Sequence, residues 1–289
     1  MNASTLILIQ SLVACGLFAQ APTSQPAEPT ALRGADRGKV KIVNGKRSSG
    51  SEIVDQALDK LEARGKAAKA IEARIVYDFI TAGPIPEMDS SKKKFGTLFF
   101  VQTGKPQFLV HFDRKEADNI VDRTPEYYAF DGLWLTERND RSKTVIKREI
   151  VKPGQNIDLF DLGKGPFPLP FGRSRDEMLR YFEIRLHENE KDKPIMLRCL
   201  PRQGTDLETR YRYVDLFIDR KLDMPTRVVC QRKIDDNRIE VAFSDISEHE
   251  NIDPKRFVVP VPKDFQETIE PLNEGPTPVN PGTQPEMKR

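Results

Sequence analysis

The chain has 289 residues, enough for one large β-rich domain or two smaller ones; 38% are hydrophobic and 31% charged, so an adequate core sits beneath a heavily charged surface. With 46 basic and 44 acidic residues the net charge is +2. That near balance gives no general reason to expect nucleic acid or an anionic membrane as partner.

The N-terminal residues read as an export signal. Leu6 to Phe18 is mostly apolar, and Ala19-Gln20-Ala21 supplies small residues at cleavage spacing, so residues 1–21 are assigned to a signal peptide. The run falls short of the ~20 residues of a bilayer span. Leu12-Val13-Ala14-Cys15 also fits a bacterial lipobox, an alternative in which Cys15 is lipidated and anchors the chain. Either route places the folded part outside the cytoplasm, in the periplasm. Residues 22–50, rich in Pro, Ser, Thr, Gly and Lys, read as a disordered linker. Residues 271–289, with Pro276, Pro278, Pro281 and Pro285, read as a disordered tail. The folded domain is expected over 51–270.

It opens with a helix. Ser51 is placed as N-cap, and Ile53, Val54, Ala57, Leu58 and Leu61 recur on one face until Gly65. Alternation from Ala70 to Ile80 predicts a strand, with a helical continuation to about Ala73 as the alternative. Strands follow at about 95–103, 107–113, 126–130, 132–137 and 144–151. The Asp131-Gly132 pair, between aromatic-rich strands, predicts a tight β-hairpin in which Gly132 takes a positive φ. Residues 157–175 carry Gly163, Gly165, Pro166, Pro168, Pro170 and Gly172, which rule out a regular strand or long helix. A short helix at 176–181 leads into strands at 182–187, 195–200, 209–219, 226–233 and 239–246. Short connections imply antiparallel meander pairing. Cys199 and Cys230 then stand two strand spacings apart, ~9.5 Å, which favours free thiols; a disulfide would require a different strand order.

A sheet with one wet face alternates apolar and polar residues. Leu98-Phe99-Phe100-Val101, Phe108-Leu109-Val110 and Leu133-Trp134-Leu135 do not. One face is expected to pack on the N-terminal helix; the other needs a second cover, or forms an apolar groove. Ordinary core on both faces is the alternative. Lysines Lys92 to Lys94, and the basic run from Lys143 to Arg148, read as solvated strand edges or loops.

No catalytic motif emerges. His111 with Asp113, and Glu248-His249-Glu250, lack paired zinc-ligand spacing, and His187 stands alone, so no metal and no cofactor are expected. Asp235-Asp236-Asn237 reads as a turn. Ser244, Asp245 and His249 have triad residue types without a nucleophile elbow. A non-enzymatic protein is expected.

Several of these segments, in order, resemble the LolA-type periplasmic lipoprotein carriers. They are Phe95-Gly96-Thr97-Leu98, Pro106-Gln107-Phe108, Tyr128 to Trp134, Leu197 to Pro201, Val214 to Asp219, Met224-Pro225, Phe243 to Ile246, Asn251 to Pro254 and Phe257 to Pro262. The resemblance implies a mainly β (α+β) fold: one strongly curved antiparallel sheet, an open half-barrel, covered by an N-terminal helix and short lid segments. It implies a lipid, acyl chain or lipoprotein as ligand, with peripheral membrane contact. An envelope regulatory or scaffolding module of the same fold, binding a protein partner, is the alternative. Candidate cavity residues are Phe99, Val101, Phe108, Val110, Phe112, Trp134 and Phe171. Lys105 lies near the mouth, where the carriers usually have arginine; Asp131 and Gly132 are read as structural.

Overall fold

Alternating strands dominate the chain, and the computed structural model, which describes residues 41–43, 45–102, 106–150 and 173–272, gathers them into one 13-stranded sheet that does not close. A separate antiparallel pair, β1 (Lys41–Val43) and β2 (Lys46–Ser48), precedes helix α1 (Glu52–Ala67). This pair lies inside the stretch expected to be linker. The first half of the sheet is β3 (Ala70–Thr81), β4 (Ser90–Val101), β5 (Gln107–Ala117), β6 (Ile120–Asp122), β7 (Glu126–Phe130), β8 (Trp134–Asn139) and β9 (Thr144–Glu149). After helix α2 (Arg175–Tyr181) come β10 (Phe182–Glu188), β11 (Ile195–Pro201), helix α3 (Asp206–Arg210), β12 (Tyr211–Ile218), β13 (Pro225–Arg232), β14 (Arg238–His249) and β15 (Gln266–Glu270).

The spatial order is β10-β11-β12-β13-β14-β3-β4-β5-β7-β8-β9-β15, with β6 beside β5. Two meanders therefore meet where β14 pairs with β3. Every pairing is antiparallel except β9 with β15, so the purely antiparallel expectation fails at that one edge. The mainly β, open and curved architecture is as expected. Cys199 pairs with Val214 and Val214 with Cys230, so one strand separates the two thiols, and both are free and buried.

Ser51 stands at the N-cap of α1 as expected, and local chemistry corrects the details around the helix and the hairpin. Helix α1 runs past Gly65, which is buried in its last turn. Ser51 makes no side-chain cap; the Asp55 carboxylate instead accepts from Ser48 Oγ at 2.6 Å and Ser49 N–H at 2.8 Å. The turn is shifted by one residue: Phe130 pairs with Leu135 and Asp131 N–H donates to the Trp134 carbonyl at 3.2 Å, so Gly132-Leu133 rather than Asp131-Gly132 forms its tip. Asp131 closes that turn: its carboxylate accepts from Leu133 N–H and Trp134 N–H at 2.9 and 2.8 Å, while Gly132 takes φ +100° as expected.

The apolar residues on both faces are accounted for by two covers. The inner face packs on α1 and α2, through Val54, Ala57, Leu58, Leu61, Met178 and Leu179. On the outer face Phe99, Leu109 and Ala129 lie under Ile252, Phe257 and Val259 of the chain's own C-terminal segment. No ligand is needed to cover that second face.

Candidate functional site

Strand pairing arranges the inner face of β3, β4, β5 and β7 in rows that change character along the strands. The first row, Ile71, Phe100, Phe108 and Phe130, is wholly apolar. Next come Leu98, Val110 and Tyr128, then Ile75, Gly96, Phe112 and Glu126. The last row is Tyr77, Lys94 and Lys115. Apolar wall thus gives way to an aromatic and then a charged end within four rows.

At that end Glu126 is only 6% exposed. Its carboxylate accepts from Lys94 Nζ at 2.6 Å, Lys115 Nζ at 2.9 Å and Asn139 Nδ2 at 3.3 Å. Lys94 Nζ also lies 5.7 Å from the Phe112 ring centroid and 5.6 Å from that of Tyr128, within cation–π range. The Phe112 ring meets Tyr77 and Tyr128 edge-on, at 6.4 and 6.1 Å. Burial pushes the phenols of Tyr77 and Tyr128 up, and Glu126 raises Tyr128 further, so both stay neutral. Lys115 also reaches Asp122 at 3.5 Å; the Thr124 hydroxyl and N–H hold the Asp122 carboxyl down at about 2. Two ammonium groups therefore share one buried carboxylate where the apolar wall ends.

Burial raises the Glu126 pKa, but hydrogen bonds and attraction from Lys94 and Lys115 outweigh it and hold the group below its ordinary 4.5. A depressed folded-state pKa contributes stability that is present above the unfolded value and is lost as pH falls through the folded one. Stability is expected to drop below about pH 4.5, and Glu126→Gln to flatten that acid limb. The same substitution is expected to cost about 1–3 kcal/mol at neutral pH, less than for a fully buried pair because Lys94 is 27% exposed. Urea titrations of both proteins from about pH 3 to about pH 7 check this.

Helix α1 shares one core cluster with the apolar rows and is held in place by polar contacts. Asp59 pairs with Arg175 of α2 at 2.6 Å and with Lys46 at 3.1 Å. Glu62 accepts from Arg175 N–H at 3.1 Å. On the opposite side Arg64 pairs with Glu248, and Lys69, just beyond the helix, pairs with Glu250.

The sequence-derived candidates divide between the faces. Phe108, Val110 and Phe112 share the inner core, whereas Phe99 and Val101 belong to the outer cluster. Trp134 is partly buried and pairs across the sheet with Glu149. Lys105, Phe171 and Cys15 lie outside the described residues, as do the signal peptide, most of the linker and the Pro-rich tail. Two cavities among the described residues, of about 360 and 430 Å³, are lined by none of the candidates. His111 stacks on Tyr127 at 4.3 Å, and His249 Nε2 lies 3.4 Å from Glu72. No group of three metal-ligating side chains occurs among the described residues.

Sequence reasoning missed Lys94, Lys115 and Glu126. Lys94 sits on a central strand, not the solvated edge or loop expected of the Lys92–Lys94 run. The available signal was Glu126 two residues before Tyr128 on a strand otherwise aromatic and apolar, an acid whose side chain alternation turns inward.

No family model matches the chain, and no curated protein matches it. Solved structures do. An uncharacterized conserved protein from Thermus thermophilus has 10% identity and a TM-score of 0.44, over 76% of this chain and 100% of that one. A LolA superfamily protein from Nitrosomonas europaea has 10% identity and 0.32, over 71% and 96%. LprF from Mycobacterium bovis has 11% identity and 0.34, over 74% and 98%. At these scores they say nothing about function. The LolA-type resemblance of the sequence has its counterpart in the open, curved sheet with a helix across one face.

Proposed function

We propose that the chain is an exported, non-enzymatic binding protein that takes an acyl chain of a lipid or lipoprotein against the inner face of its sheet. The observation that carries this is the gradient from Phe100, Phe108 and Phe130 to Lys94 and Lys115. It matches a ligand with an apolar tail and a polar head.

Helix α1 shares the inner-face core with the apolar rows, and on this reading the tail takes the place of that helix. Exposing Val54, Leu58 and Leu61 costs roughly 5–9 kcal/mol, which about 6–11 buried methylenes offset at ~0.8 kcal/mol each. Chain length then decides occupancy. Fatty acids of about twelve carbons and more are expected to displace an apolar dye from the full chain, and those of about six carbons are not. Equal displacement at every length, or none at any, would sink the reading.

A second reading has its own support. The inner-face side chains are already buried by the chain itself, Phe100 to 1% and Phe112 to 0% exposure. A filled interior suits an envelope module that binds a protein partner by its surface. Absence of dye uptake would favour it.

A further inference from the structure

The outer face carries a hollow of different chemistry, across the sheet from the acyl site. Strands β14, β3, β4 and β5 frame a cavity of about 360 Å³ whose walls include Arg74, Phe95, Asp113, Arg114, Arg123 and Asp245. Two β-bulges build it. In β5 the register passes from Phe112 opposite Gly96 to Arg114 opposite Phe95, so Asp113 is the extra residue. In β14 it passes from Ser244 opposite Arg74 to Ser247 opposite Glu72, and Asp245 within that step takes φ +51°. Bulges re-aim side chains, and a left-handed non-glycine residue in one is a conformation held by its surroundings.

The charges around this hollow do not neutralise one another. Arg74 makes one hydrogen bond, to Thr97 Oγ1 at 3.2 Å. Arg114 stacks on the Phe95 ring at 3.9 Å and turns to Glu116, outside the hollow. Among the described residues the side chains of Asp113, Arg123 and Asp245 make no ion pair and no hydrogen bond. Here the exposed guanidiniums of Arg74 and Arg123 and the exposed carboxylates of Asp113 and Asp245 line one space of ligand size with no ion pair between the two sets.

We infer that this hollow binds a small zwitterion. Its oxyanion, a phosphate or carboxylate, meets the forked donors of Arg74 and Arg123; its primary ammonium meets Asp113 and Asp245. Single exposed ion pairs contribute little, so affinity depends on engaging both signs together. The same chemistry occurs in a free metabolite and in a lipid head group.

Calorimetry on the full chain with phosphoethanolamine, inorganic phosphate and ethanolamine separates the possibilities. Phosphoethanolamine is expected to bind about tenfold or more tighter than either half, and Arg74→Gln and Asp245→Asn each to weaken it about tenfold. Asparagine tolerates the left-handed backbone at 245, and circular dichroism of each variant distinguishes lost binding from lost fold. Phosphate binding as tightly as phosphoethanolamine, or affinity unchanged in both folded variants, would overturn the proposal, as would no binding by any probe. Flotation with phosphatidylcholine vesicles, with and without phosphatidylethanolamine, identifies the source. Retention only with the latter assigns a lipid head group, and no retention beside soluble binding assigns a free zwitterion.

Discussion

Gly96→Ala is expected to be the most damaging single-methyl change in this protein. A Cβ at position 96 would stand 2.0 Å from the carbonyl oxygen of His111 and 2.8 Å from Phe112 Cα. Both are backbone atoms of the neighbouring strand, so no side-chain rotation relieves the overlap. The bulge at Asp113 brings β5 this close, and only a residue without a side chain allows it. Overpacking ordinarily costs ~1–3 kcal/mol; against fixed backbone in the middle of the sheet the upper end, about 3 kcal/mol or more, applies. That corresponds to a fall in Tm of roughly 6–12 °C for a domain of this size, readable by calorimetry. An unchanged Tm would mean that β4 and β5 are not in this register.

Phe112→Ala is expected to cost about 3–5 kcal/mol, the range for removing a buried aromatic ring. Phe112 is 0% exposed and touches Tyr77, Tyr128 and Lys94 at the polar end of the inner face. Its loss removes two edge-on aromatic contacts and one cation–π contact in addition to buried area. Phe95→Ala is the internal comparison. Phe95 lies one residue before Gly96 on the opposite, outer face and is half-buried, so its loss is expected to cost about 1 kcal/mol. Denaturant midpoints of the two variants check the difference. Equal destabilisation would contradict the assignment of faces.

Much of the sheet was legible because aromatic and β-branched residues alternate at period two with short polar connections. The strand Glu126–Phe130 was read to the residue, and the spacing of Cys199 from Cys230 followed from strand order alone. The face of each candidate was not legible, since parity within a strand fixes relative facing and only register fixes it between strands. Phe100 pairs with Phe108, which puts Phe99 beside Leu109 and away from Phe108. The cover over Phe99 was equally hidden, because Ile252, Phe257 and Val259 lie far along the chain without a regular period. β15 escaped notice for want of apolar residues: Ile269 is its only large one, and the strand is held by backbone pairing and by surface ion pairs such as Lys147 with Glu267. A run of lysines signals solvent, while the carboxylate that draws Lys94 inward arrives three strands later in the chain.

Native purification of the full chain, followed by solvent extraction and lipid mass spectrometry, tests the central claim most directly. The account predicts a stoichiometric acyl species in the extract, depleted in a folded Phe108→Asp variant on the inner face and retained in a folded Phe99→Asp variant on the outer one. An extract that is empty, and stays empty after incubation with envelope lipids, would contradict it.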